Sequence, residues 1–439
     1  MLDSKALTKI QSIILIVVIV VATVGGIAAY ILDGGEDQSS ETIKIGVLAD
    51  LDNLGGGGVL KGAQLAVEEI NSNGGIFGRQ LEVIGENTDS EGDVTETNLA
   101  LTRLITYHKV DYVIGKAPGQ AGLTIQDIAS EHKKIFIAVS GSSDTLTQRV
   151  VDDYNKYKYF FRVFQMNDTS IGKGMTDSIS LAKEITGFNK IGYLAEDSMW
   201  NKGVRDSLDY LLPEVYGFDL VYKGTFPPSA TFEFASYFAA AEAAGVEILI
   251  PLIVLDGGIP FAKEYYDRQS PMVVYGGALG RISLPESWEW VDGKCEHMTV
   301  FAMPITAEYP LTNRTLSTRE AYINRWGETP KPGGTAAYDV LRFILPEALE
   351  RAGTTETEEV IKALEKTSTE TSMARNFVFT SSHDVMYGEG TNDPDDDNMI
   401  ATLFQWQNGE LVPIYPMKIM EEAGATYTYP DWPGPWDEQ

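Results

Sequence analysis

Short apolar runs alternate with amphipathic stretches along most of this chain. Runs at 43–47, 81–84, 112–114 and 135–139 are rich in β-branched and aromatic residues. Between the first two, Leu60, Ala63, Val67 and Ile70 recur at spacings of three and four, which predicts a helix with one buried face. Asn71 to Gly75 then stops it, with Gly74 and Gly75 free to take positive φ. Val94, Asn98, Leu101 and Ile105 repeat the helical spacing after the second run. Continuous apolar strands separated by helices predict a parallel sheet covered on both faces.

A second series begins after Phe160. Runs at 191–194, 220–222, 248–253 and 273–275 alternate with helical spacings. One such spacing is Ile171, Met175, Ser178, Ala182 and Ile185; another is Val204, Leu208 and Leu211. Two consecutive series predict two α/β lobes. Residues 299–304 form a further join, followed by helical segments at 321–326, 337–349 and 360–364. Near the end, apolar runs at 400–407 and 411–414 flank Asn408-Gly409, a strong hairpin signal. The Pro- and Trp-rich stretch 427–439 predicts irregular structure.

The first 42 residues follow a different pattern. Ile13 to Leu32 carries no charge and is long enough to span a bilayer. Lys5 and Lys9 precede it, and Asp33, Glu36 and Asp37 follow. That asymmetry places everything after Asp33 outside the cytoplasm. The segment is either a retained transmembrane anchor behind a short cytoplasmic 1–12, or a signal peptide cleaved near Gly26-Ile27-Ala28-Ala29. Its apolar length exceeds that of a usual signal, which favours the anchor. No cysteine stands directly after the apolar run, so a bacterial lipoprotein anchor is excluded. Residues 33–42, DGGEDQSSET, read as a flexible linker.

Composition narrows the partners. The 439 residues are 44% hydrophobic, enough for sizeable cores, and carry a net charge of −29. Such a surface repels nucleic acid and anionic lipid, and its plainest use is solubility. The single cysteine, Cys295, can form neither an intramolecular disulfide nor a structural zinc site, and reads as a small core residue.

Residues 62–82, G-A-x-L-A-V-E-E-I-N-x-x-G-G-I-x-G-R-x-L-E, closely resemble the first βαβ unit of the Leu/Ile/Val-binding family, the type I periplasmic solute-binding proteins. Further pieces follow in the family's order: 110–115 (VDYVIG), 138–147 (AVSGSSDTLT), 160–168 (FFRVFQMND), Ala336-Ala337-Tyr338-Asp339 and 405–409 (QWQNG). The resemblance covers roughly 43–416. It implies two Rossmann-like lobes joined by three crossings, expected near Phe164, Met303 and Tyr387. Residues 43–164 with 304–386 would form one lobe, 165–303 with 387–420 the other, and 421–439 an irregular tail. It also implies a function: an extracellular component of an ABC importer, capturing a small polar solute between closing lobes. A ligand-sensing receptor of the same fold, acting with a membrane partner, is the alternative.

Ligands of open parallel sheets bind beyond the carboxyl ends of strands, so the loops there hold the candidates. Residues 52–59, DNLGGGGV, predict a slack, glycine-rich rim loop without nucleotide-binding spacing. After the third strand come Lys116, read as a solvated rim lysine, and Gly119 and Gln120, where the resemblance expects a carboxylate-binding donor. Ser140, Gly141, Ser142 and Ser143 follow the fourth strand; they are either ligand contacts or a serine-rich helix cap. In the second lobe, Asp197 and Trp200 occupy the first loop, where Trp200 fills the family's aromatic position. Asp256 is a candidate counter-charge for an amine. The resemblance commonly puts an acid in the next loop, where this chain has Ala278 and Leu279. The solute is then an amino acid held through Asp256, or an amide, a urea-like molecule or a carboxylate.

Catalytic patterns fail on their parts. There is no G-x-S-x-G elbow, and His108, His132, His297 and His383 are scattered. Asp393, Asp395 and Asp397 begin like a calcium loop, but the twelfth position is Phe404. A binding protein is expected, with no enzyme activity, cofactor or metal. Asn167 and Asn313 stand in glycosylation sequons.

Overall fold

The computed structural model describes residues 42–89, 93–164, 167–198, 201–227, 233–253, 257–387 and 398–438. The apolar segment 13–32 and the acidic run 393–397 lie outside the described residues. Among the described residues no helix is long and apolar enough to cross a membrane.

The first sheet contains β1 (Ile43–Ala49), β2 (Leu81–Asn87), β3 (Tyr112–Gly115), β4 (Phe136–Ala138) and β5 (Phe160–Arg162). All are parallel, in the order β2-β1-β3-β4-β5. Side-chain alternation splits its apolar residues cleanly between two layers. Ile45, Val47, Ile114, Ile137 and Phe161 face one core. Leu48, Val113, Phe136 and Phe160 face the other.

The second sheet contains β6 (Lys190–Glu196), β7 (Asp219–Phe226), β8 (Ile248–Ile253), β9 (Val273–Val274) and β10 (Ala278–Leu279), in the order β10-β8-β6-β7 with β9 also paired to β8. A parallel bridge from Gly277 to Val300 joins this sheet to β11 (Thr299–Phe301). Two short strands, β12 (Ser368–Thr369) and β13 (Phe377–Val378), pair apart from it. Then β14 (Leu403–Gln407) pairs antiparallel with β11 and with β15 (Glu410–Tyr415). The β14–β15 turn is the expected Asn408-Gly409, with both residues at positive φ.

The cores interleave along the chain. Met303 and Ile305 pack into the core that already holds β1 to β5, and so does Met399. Ala302 and Leu403, close to them in sequence, pack with the second sheet. Residues 423–434 contain no helix or strand, yet they are fastened down. Trp432 is 7% exposed and donates its indole N–H to the Ser270 carbonyl at 2.9 Å. Tyr429 stacks on Trp436 and bonds the Ile185 carbonyl.

One correction concerns the glycine run. Gly55 to Gly58 are not a loop: they lie in the first turns of the helix Leu54–Ser72. That helix packs backbone to backbone on the helix Pro332–Asp339. A Cβ on Gly62 would lie 2.0 Å from the Gly334 carbonyl oxygen, and one on Gly334 would lie 2.5 Å from that of Gly58. Glycine spacing therefore sets how closely the two helices approach. The second helix continues through a wide turn at Val340–Ile344 into Leu345–Ala352, which accommodates Pro346 and its missing N–H.

Two predictions follow from this packing. Gly62→Ala should lose at least about 3 kcal/mol of unfolding free energy by urea titration, because rigid backbone cannot yield to the new methyl. Gly55→Ala, whose Cβ would meet only the Lys116 ammonium at 3.7 Å, should be neutral or stabilising by up to about 1 kcal/mol. The second prediction concerns Asp339, a fully buried residue whose carboxylate accepts the Ser372 N–H at 3.2 and 3.1 Å. Burial pushes its carboxyl from 3.8 up to about 7. The folded state then keeps a proton that the unfolded chain has lost, so stability falls as pH rises from about 4 to 7. Asp339→Asn should lack that loss. Measured against wild type, it should gain up to about 4 kcal/mol between pH 4 and pH 8.

Candidate functional site

The carboxyl edge of the first sheet is tightly organised. Asp50 follows β1, is 3% exposed, and accepts from Lys116 Nζ and Asn53 Nδ2, both at 3.0 Å. Lys116 is thus no solvated rim lysine: its side chain is 12% exposed and paired with Asp50. Gly119 opens the helix Gly119–Glu131 at φ +46 with open space beside its Cα, and Gln120 next to it is exposed. Gly141 has φ +100, and a Cβ there would lie 2.3 Å from the Ala117 carbonyl. The serine loop and the 116–120 loop are therefore in contact. Ser140 Oγ is buried without a partner. Ser143 stands at the N-cap of the helix Asp144–Asp152 but makes no capping bond, so its hydroxyl is not used as a cap.

Arg162, at the end of β5, organises this loop from beneath. The side chain is fully buried. Its Nε and Nη2 hold Asp384 bidentately, at 2.8 and 2.5 Å. Its Nη1 donates to the carbonyls of Gly141 and Ser143, at 3.0 and 2.9 Å. Asn167 donates to the same Asp384 carboxylate and caps the helix Asp168–Thr186, so the first sequon asparagine already uses its amide. The Asp168 N–H bonds the Ser142 carbonyl at 2.9 Å, and Thr169 bonds Asp144. The serine loop is thereby tied to the first helix that packs on the second sheet. Burial pushes the Asp168 carboxyl above its usual range, partly offset by the Ser142 hydroxyl.

Across the crevice the candidates separate. Trp200 and Asp256 lie outside the described residues. Asp197 follows β6 with its side chain 70% exposed and paired to Arg205 at 3.3 Å. Ala278 belongs to β10, in register with Leu252, and packs against the second core. A short paired strand thus stands where a free loop was expected. A Cβ on the preceding Gly277 would lie 2.3 Å from Pro251 Cγ, so the strands can close only on glycine.

Sequence reasoning missed the polar pairs. Lys331, 4% exposed and next to the glycine-packed helix, bonds Glu286 at 3.1 Å, linking the 280–290 segment of the second sheet's layer to the first core. Burial works to raise the Glu286 carboxyl, but its own backbone N–H and the Lys331 ammonium outweigh it and hold it below its usual range. Arg162 had a readable signal: one cation inside the apolar run FFRVF must find a counter-charge. The Lys331 pair joins residues 45 apart in sequence and had none. Cys295 is fully buried, consistent with its reading as core. Among the described residues no group of three His, Cys, Asp or Glu is placed to hold a metal ion.

Helix N-termini complete the geometry. The helices that follow the central strands β1, β3 and β4 begin after Asn53, Pro118 and Ser143, none of which supplies a side-chain cap. Those following the outer strands β2 and β5 are capped, by Asp93 and Asn167. In the second sheet, Asn201 and Gly257 precede uncapped helices after β6 and β8. Helix starts without a side-chain cap thus stand at the carboxyl ends of central strands in both sheets.

Comparison with known proteins gives the arrangement a context. Residues 42–388 match the sequence pattern of a family described as periplasmic binding protein. Leu/Ile/Val-binding protein homolog 7 of Brucella abortus is 23% identical over 401 residues, covering 88% of this chain and 94% of that protein. The fold is similar to that of the branched-chain amino acid transporter substrate binding protein LivJ from Streptococcus pneumoniae, solved with isoleucine. The TM-score is 0.68 at 22% identity, over 85% of this chain and 100% of that one. It is also similar to a solute binding protein from R. palustris solved with benzoate, with a TM-score of 0.67 at 14% identity, over 85% and 96% of the two chains.

Arg162→Lys keeps the charge but loses the bidentate fork and the two loop contacts. It should cost about 3–5 kcal/mol in denaturant unfolding, the range for disrupting a buried pair.

Proposed function

The chain belongs to the periplasmic binding protein family, and on that premise we propose that it captures a small polar solute between its two α/β units for delivery to the membrane subunits of an ABC importer. The solute is a branched-chain or other amino acid, an amide or a urea-like molecule. The observation that carries this reading is the set of uncapped helices after the central strands. Each missing cap forgoes about 1 kcal/mol of helix stability, and the free N–H groups suit a carboxylate or carbonyl oxygen. Gly119 offers a backbone donor, and Ser140 offers a hydroxyl with no protein partner; Ser142, whose hydroxyl reaches Asp168, lines the same loop as Ser140. Trp200 and Asp256 supply the facing side in this proposal. Residues 43–164 with 304–386 would close against 165–303 with 387–420 by bending at their three connections. The segment 13–32 would tether the binding units to the outer face of the membrane.

A thermal-shift screen with amino acids, amides, urea and small carboxylates tests the reading. A solute at one hundred times its Kd adds about 2.7 kcal/mol, which should raise Tm by roughly 3 °C in a cooperative unit of this length. No shift with any class would overturn it.

A further inference from the structure

Three buried oxygens at the end of β6 and just beyond it have no protein partner. Glu196 ends β6 and is 7% exposed, and its Oε2 accepts no hydrogen bond. Asn201 is fully buried; its Nδ2 donates to the Glu196 carbonyl at 2.6 Å while its Oδ1 is unpartnered. Ser198, whose N–H reaches the same carbonyl at 2.9 Å, has a buried, unpartnered Oγ. Asn201 precedes the helix Lys202–Glu214 without capping it. Arg205, one turn further, reaches Asp197 through Nη2 at 3.3 Å, while its Nε is buried without a partner.

Register places the group on the sheet. Ala195 and Ala278 both pair with Leu252, so Glu196 stands level with Leu279, two strands away across β8. It shares that face with Phe226, Ile253 and Leu279, all apolar and buried. A carboxylate placed there without a cation or donor is costly, and these neighbours can supply neither. A carboxylate, an amide oxygen and a hydroxyl together make three acceptors, the number of N–H bonds on a primary ammonium.

We propose that Glu196, Ser198 and Asn201 receive the protonated amine of the solute, making this protein selective for amine-bearing solutes over amine-free carboxylates. The inference rests on the solute-binding reading above and names its substrate class.

The test measures Kd by titration calorimetry on wild type and Glu196→Gln. The probes are the standard L-amino acids, singly, and for each that binds, the acid lacking the α-amino group (4-methylpentanoate for leucine). Wild type should bind the amino acid at least about 10-fold more tightly than its amine-free counterpart, the worth of a charged hydrogen bond. Glu196→Gln should weaken amino-acid binding by about 10- to 100-fold and leave the amine-free acid unchanged. Equal amino-acid affinity in the variant, or a wild type that prefers amine-free acids or benzoate, overturns the assignment while leaving solute binding intact. A wild type that binds none of these acids but shifts with amides or urea overturns it equally. A wild type that responds to no class of solute overturns both. If Glu196→Gln does not fold, Ser198→Ala takes its place: a loss of about 3-fold or more confined to amines supports the proposal, and no loss overturns it.

Discussion

A guanidinium with no access to water has to be neutralised by groups that cannot leave it, and Arg162 turns that requirement into architecture. It draws Asp384 from more than two hundred residues away, and Asp384 in turn holds Asn167. The same side chain fixes two carbonyls of the serine loop, which leaves the loop little freedom of its own. The end of β5, a late segment of the chain and the first helix of the second unit therefore meet at one charge. Whatever that loop presents to a solute, it presents from a backbone held in place beforehand, and preorganisation of this kind lowers the entropic cost of binding.

The parts of the fold that repeat were legible in the sequence. Strands buried on both faces read as unbroken apolar runs, and β1, β3, β6 and β8 lie where those runs lie. The Asn408-Gly409 turn was readable because its φ values demand those residues. The glycine run was misread, since a glycine that slackens a loop and one that lets two helices touch look alike until the partner helix is known. The Gly334 partner of Gly58 is more than 270 residues further on. Lys116 was misread for the same reason: its carboxylate partner, Asp50, follows a different strand. Long-range polar pairing leaves no periodic trace, so the chemistry of the crevice was less visible than its scaffold.

The two sides of the crevice differ in kind. The first sheet meets it with backbone donors, glycines and hydroxyls, and its strong charges are already neutralised, Asp50 by Lys116 and Arg162 by Asp384. At the end of β6, oxygens of Glu196, Ser198 and Asn201 are buried without a protein partner. The bond between Lys331 and Glu286 runs between the same two layers and favours their approach. It touches none of the serine-loop residues.

The interleaving of the cores bears on how the chain can be made. The layer built on β1 also needs Met399, and the layer built on β6 also needs Trp432. During synthesis neither half can finish packing before nearly the whole polypeptide has emerged. Domain-by-domain folding from the N-terminus is thus closed to this protein. Its incomplete first sheet must wait, partly uncovered, for the distant helices that roof it. The large negative charge then acquires a kinetic use, because nascent chains that repel one another have time to fold before they aggregate.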